Sequence, residues 1–144
     1  MANAYHLHLR PGPEVINDHG GLHKFMNWDK LILTDSGGFQ AWSLPTKLYE
    51  DGIEFKNVYD GSYFKLTPQD SIKTQNLLGS DIAMIFDYLI SVDKPDEEQK
   101  KAIEITKQWA TICKEIHNNS SQSLFGIVQG LSLIHISEPT RRTS

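Results

Sequence analysis

Leu31-Ile32-Leu33-Thr34-Asp35-Ser36-Gly37-Gly38-Phe39-Gln40 is the stretch on which the reading of this chain turns. Leu31 to Thr34 has the composition of a buried strand, and the strand ends on a carboxylate, Asp35. Two glycines follow, then an aromatic ring and an amide. Glycine lets a backbone approach a ligand closely. A ring and an amide beside it can stack on a flat heterocycle and bond its edge, and Asp35 can exchange a proton with it. Taken alone, Asp-Ser-Gly-Gly is also the signature of an Asx-turn in which glycine supplies a positive φ. The choice between the two readings comes from the rest of the chain.

Two more apolar runs end in a similar way. Ile82 to Phe86 closes on Asp87, and Leu124 to Val128 closes on Gln129-Gly130. The first reads as a strand buried on two faces, the second as another buried strand. Ala2 to Leu9 also has strand composition and is broken by Pro11-Gly12. Pro13 to His19 and Leu22 to Asn27 read as short helices around Gly20-Gly21. Ile53 to Tyr59 and Ser62 to Thr67 flank Asp60-Gly61, a hairpin signal. Thr67 then caps a helix with Pro68 at its first position. Ile72, Gln75 and Leu78 give its spacing, and Gly79 ends it. Pro95 to His117 is a long amphipathic helix marked by Ala102, Ile105, Trp109, Ile112 and Ile116. Its first-turn acids, Asp96, Glu97 and Glu98, suit the helix dipole. They do not form a metal site, because successive residues do not share a helix face.

Strands alternating with helices predict parallel pairing with right-handed crossovers. An open doubly wound sheet and a barrel both fit. The barrel is favoured because Asp35, Asp87 and Gln129 all stand at the C-terminal ends of strands, and in a barrel those ends converge on one face. The expected fold class is α/β: a partial (β/α)8 TIM barrel with a β-hairpin insertion. A flat base lying on Phe39 would meet carboxylates that accept from N–H groups and an amide that both donates and accepts. The backbone N–H groups of Gly37-Gly38 could hold a carbonyl oxygen.

Composition sets the bounds. The 144 residues allow one ordinary domain, and 39% apolar with 10% aromatic content suits a globular core. No run has the length of a membrane span, and no signal pattern opens the chain. The single cysteine, Cys113, excludes an internal disulfide and fits a reducing cytoplasm. His6 and His8 read as packing and hydrogen-bonding groups, since a metal site needs three or four ligands. The formal net charge is −4, so no basic footprint for nucleic acid is visible.

Five pieces resemble the tRNA-guanine transglycosylase (queuine tRNA-ribosyltransferase) family, in the family's order and spacing: ANAYHLHLRPG (Ala2 to Gly12), HGGLHKFMNW (His19 to Trp28), LILTDSGGFQ (Leu31 to Gln40), LLGSDIAMIFD (Leu77 to Asp87) and LFGIVQG (Leu124 to Gly130). The resemblance implies a (β/α)8 barrel, of which about half is present, and exchange of guanine at the tRNA wobble position for a 7-deazaguanine such as preQ1 or queuine. It makes Asp35 the general acid/base, Phe39 the stacking ring, and Asp87 and Gln129 base-edge ligands. The implied base-binding set is Asp35, Ser36, Gly37, Gly38, Phe39, Asp87 and Gln129. The nucleophilic Asp and the zinc-binding Cys/His cluster belong to later motifs that this chain lacks. The implied partners are tRNA, the deazaguanine base and a second subunit, as homodimer or heterodimer, with no membrane. Where many bacterial members continue the strand with Glu then Cys, this chain has Tyr88-Leu89-Ile90, which leaves the incoming base open. Asn3 and His6 either support the site or are buried polar groups.

Leu131 to Arg141, LSLIHISEPTR, resembles a translated sequencing-library adapter. Residues 131–144 are therefore expected to be a non-native tail, with residues 1–130 forming the partial catalytic barrel. Without Glu138, Arg141 and Arg142 the count is 12 basic and 17 acidic residues, a net −5. Met1 falls where a strand should already be under way, so the expectation is a fragment cut at both ends. Other readings stay open: a non-catalytic transglycosylase-like subunit, a glycoside hydrolase-type barrel with Asp35 and Asp87 as its two carboxylates, and an isolated piece with no activity.

Overall fold

The computed structural model describes residues 1–38, 46–57 and 59–127. Four parallel strands form the principal sheet: β1 (Ala2–Asn3), β2 (Leu33–Asp35), β6 (Ile82–Met84) and β7 (Ser123–Phe125), in the order β1-β2-β6-β7. Strand neighbours thus follow chain order. A second, antiparallel sheet joins β3 (Thr46–Tyr49), β4 (Gly52–Lys56) and β5 (Tyr63–Leu66). The helices are α1 (Ala4–Leu9), α2 (Pro13–Asp18), α3 (Leu22–Met26), α4 (Pro68–Leu78) and α5 (Asp96–Ile116).

Local signals account for most of these elements. Thr67 and Asp70 close a reciprocal capping box at α4, each side chain accepting from the other's N–H at 3.1 Å. Gly79 ends that helix in the left-handed region at φ +68°. Helix α5 runs within the bounds its periodicity predicts and buries Ala102, Ile105, Trp109 and Cys113.

Four expectations need correction. Ala2 to Leu9 is a strand only at Ala2–Asn3; helix α1 takes the rest. Asn3 Oδ1 accepts from the N–H groups of Tyr5 (2.9 Å) and His6 (3.3 Å), and this cap turns the chain into a helix. The insertion has three strands, since β3 pairs Tyr49 with Gly52 across a turn at Glu50-Asp51. Asp60-Gly61 does lie between β4 and β5, but in a six-residue connection, closed where Asn57 N–H donates to the Ser62 carbonyl at 2.6 Å. Finally, β7 is not a buried strand: Ser123 and Phe125 are exposed and Leu124 is only partly buried. It is the outer strand of its sheet, and Phe125 is 50% exposed.

The main core lies between the two sheets and α5. It gathers Tyr5, Ile53, Phe55, Leu66, Ile72, Phe86 and Trp109 with their neighbours. Phe86 and Trp109 stack at 5.2 Å and 7°, an offset geometry worth about 0.5–1.5 kcal/mol beyond burial. Trp109 Nε1 donates to the Glu50 carbonyl at 2.8 Å, pinning the β3–β4 turn to α5. A smaller cluster of Ile16, Leu22, Ile32 and Leu78 seals the strand N-terminal end. There Asp81 Oδ2 accepts from Ile32 N–H and from His23 Nε2, both at 2.9 Å.

Candidate functional site

Asp35 ends β2, opposite Asn3 of β1 in the parallel register. It is half-buried, and its carboxylate has no hydrogen-bonding partner among the described residues. The chain then turns through Ser36, Gly37 and Gly38, all buried. Ser36 Oγ accepts from Gly38 N–H at 3.2 Å, and the Ser36 carbonyl accepts from the Ser71 hydroxyl of α4 at 2.8 Å. Gly37 sits at φ +94°, and a Cβ there would lie 3.1 Å from Tyr5 Cβ. Both the conformation and the space require glycine.

Gly38 is required for a different reason. Its φ is not positive, but a Cβ would stand 2.5 Å from Asp87 Oδ1 and 3.1 Å from the Asp87 carbonyl. The carboxylate of Asp87 therefore rests on the bare Cα of Gly38. Asp87 is 4% exposed and already has a polar partner. It follows β6 by three residues and lies near Cys113 of α5. Burial pushes the Cys113 thiol up to about 11, and the Asp87 charge adds to the rise. Cys113 stays protonated at neutral pH and is no nucleophile.

The structure thus brings Asp35, Ser36, Gly37, Gly38 and Asp87 together at one end of a parallel sheet. Phe39 and Gln129, the expected stacking ring and second edge ligand, lie outside the described residues, as do Val128 and residues 131–144. Asn3 serves as the α1 cap. His6 is exposed, with its ring edge-on to Tyr5 at 5.0 Å, so it is not a buried polar group. His8 Nδ1 bonds Thr74 Oγ1 at 3.0 Å. Among the described residues no group of three or more His, Cys, Asp or Glu is placed to hold a metal.

Comparison with known proteins now bears on what this arrangement is. The family model described as Queuine tRNA-ribosyltransferase matches residues 1–136. The chain belongs to that family. It is 51% identical to the queuine tRNA-ribosyltransferase of Prochlorococcus marinus (strain MIT 9211), over 90% of this chain and 36% of that protein. With that of Thermoanaerobacter pseudethanolicus (strain ATCC 33223 / 39E) the identity is 52% at the same coverage. With that of Acinetobacter baylyi (strain ATCC 33305 / BD413 / ADP1) it is 47%, over 90% of this chain and 35% of the relative. The chain therefore spans little more than a third of the length of these relatives.

Tyr88, the residue after Asp87, packs its ring edge-on against Trp109 at 5.5 Å and 71°. Burial raises its hydroxyl pKa, and its N–H donates to Thr106 Oγ1 at 3.1 Å. In this queuine tRNA-ribosyltransferase family member the position is occupied by helix packing. Sequence reasoning also missed Thr34, Ser71, Gln75 and Gln122, buried polar residues behind the strand ends. The available signal was polar side chains at i and i+4 on the buried face of a helix: Ser71 and Gln75 share that face with Ile72 and Leu78.

Proposed function

We propose that this chain supplies the acid/base half of the site of a tRNA-guanine transglycosylase, a pentosyltransferase that exchanges guanine at the anticodon wobble position for a 7-deazaguanine. The observation that carries the reading is the convergence of the Asp35 turn and the Asp87 carboxylate on one end of a parallel sheet. The sheet belongs, in this reading, to a (β/α)8 barrel completed by further strands, since its four strands follow chain order.

The chemistry then divides as follows. A carboxylate from a later segment attacks ribose C1′, forming a C1′–O bond as the glycosidic C1′–N bond breaks. Asp35 gives its proton to the departing guanine. It takes a proton from the incoming base, whose ring nitrogen forms the new C1′–N bond and releases the carboxylate. Phe39 stacks on the base, at roughly 1–3 kcal/mol. Asp87 and Gln129 bond its edge, and a buried polar pocket of this kind strongly rejects bases with the wrong edge. The partners are tRNA and the free base, with a second subunit in the assembled enzyme. The zinc site belongs to that later segment and enters no step here. Residues 131–144 stand outside the proposed unit; curated relatives cover 90% of the chain, while the family match runs to residue 136.

Replacing Asp35 by Asn in the full-length enzyme tests the reading. Labelled-guanine exchange into tRNA falls by about 10²–10⁴-fold, and near-parental exchange would refute the acid/base role. Asp87→Ala acts differently: base affinity drops and discrimination among purines relaxes.

A further inference from the structure

Pairing between β2 and β6 runs Leu33 with Ile82 and Thr34 with Ala83, and stops there. The next residue of β6, Met84, turns to a side chain instead. Its N–H donates to Gln75 Oε1 and its carbonyl accepts from Gln75 Nε2, both at 2.9 Å. The same amide holds β2: the Thr34 hydroxyl donates to Oε1 at 2.9 Å. Gln75 Nε2 also donates to Ser71 Oγ at 3.2 Å, and Ser71 donates on to the Ser36 carbonyl. Gln75 is fully buried. One amide from α4 thus fills the split between two strands at the point where they would otherwise go on pairing. Asp35 lies one residue beyond the split on β2, and Asp87 three residues beyond Met84.

We propose that Gln75 is a positioning residue: it wedges β2 from β6 and so sets the gap between Asp35 and Asp87 into which the base edge enters. The proposal rests on the transglycosylase reading of those two carboxylates. Gln75 touches no reacting atom and acts through Met84, Thr34 and Ser71. A displacement of about 1 Å at a reacting group can cost on the order of 10²-fold in rate, so the loss falls on kcat rather than on tRNA binding.

The test uses the full-length enzyme. Gln75→Met keeps the length and removes the hydrogen bonds; Gln75→Glu keeps the shape and makes them depend on pH. An ionised Glu has no donor for the Met84 carbonyl, whereas a protonated one does, and burial raises its pKa. Taking the ratio to parent cancels the titration of Asp35 itself. We expect kcat for guanine exchange to fall about 10²-fold in Gln75→Met, with KM for tRNA changed less than about twofold. In Gln75→Glu the kcat ratio to parent rises as pH falls from 8.5 to 6, by up to about tenfold per unit. Should Gln75→Met fail to fold, the pH series of Gln75→Glu decides alone. Parental kcat in folded Gln75→Met, a rise in KM only, or a flat pH ratio overturns the proposal. Asp35→Asn measured alongside separates the failures. If it too exchanges at the parental rate, the functional reading falls; if it is inactive while Gln75 variants are parental, only the wedge falls.

Discussion

Gly37 and Gly38 sit side by side and do different work, which makes them the sharpest probes of the site. At Gly37 the backbone itself is in the left-handed region, and Tyr5 closes the space. Gly37→Ala should cost about 1–3 kcal/mol of stability through strain, read as a lowered Tm. At Gly38 the φ is not in the left-handed region, so alanine adds no strain of that kind but meets Asp87 Oδ1 at 2.5 Å, the Asp87 carbonyl at 3.1 Å and Ser36 Oγ at 3.4 Å. Gly38→Ala should lower Tm less than Gly37→Ala does, while base exchange falls by on the order of 10²-fold, through displacement of that carboxylate. Equal losses of Tm in the two variants would remove the distinction. The adjacency of Gly38 and Asp87 joins residues 49 positions apart, and no local pattern announces it. The residue types of the site are legible in the chain because strand-end carboxylates and a Gly-Gly turn are local features. Gln75 was hidden for the opposite reason: it falls on the inward helical spacing and reads as one more core position.

Elements with their own stop and start signals, such as α4 with its Thr67–Asp70 box and Gly79 cap, match their sequence reading closely. Helix α1 does not, because Tyr-His-Leu-His-Leu alternates like a strand; Asn3 and the burial of Tyr5 beside Leu9, one helical turn apart, override that period. Strand β3 was invisible because its partner, β4, supplies the reason for it. The same non-local logic holds the strand N-terminal ends together at Asp81. The Ile32 N–H, with the His23 imidazole beside it, holds the Asp81 carboxyl below the usual carboxylate range. A group depressed on folding contributes stability above its unfolded pKa, about 3.9, and loses it as pH falls through the folded value. With the side chain 35% exposed, the contribution is modest. In a series of melting curves the Tm advantage of parent over Asp81→Asn should be present at about pH 5 and shrink below about 4. An advantage that keeps its size as the pH falls well below about 4 would contradict the clamp.

At the scale of the whole chain the governing feature is a principal sheet of four parallel strands among the described residues. Parallel sheets are stable when both faces are covered and their edges closed. Here β1 and β7 are outer strands with no strand beyond them among the described residues, and β1 pairs through only two residues. Phe125 on β7 is half exposed, as are Met26 and Trp28 near α3. Unpaired parallel edges beside apolar side chains recruit other chains. The proposed reaction also takes its attacking carboxylate from a segment other than these residues. The 144-residue chain on its own should therefore neither exchange guanine in tRNA nor run as a dispersed monomer. It should elute from size-exclusion chromatography as associated species or be lost to the insoluble fraction, and added tRNA should not restore exchange above a no-enzyme control. A sharp monomer peak with cooperative melting would show that the four strands are closed by something other than further strands. Base exchange by the isolated chain would place the nucleophile among the residues already present, with Asp87 the first to test.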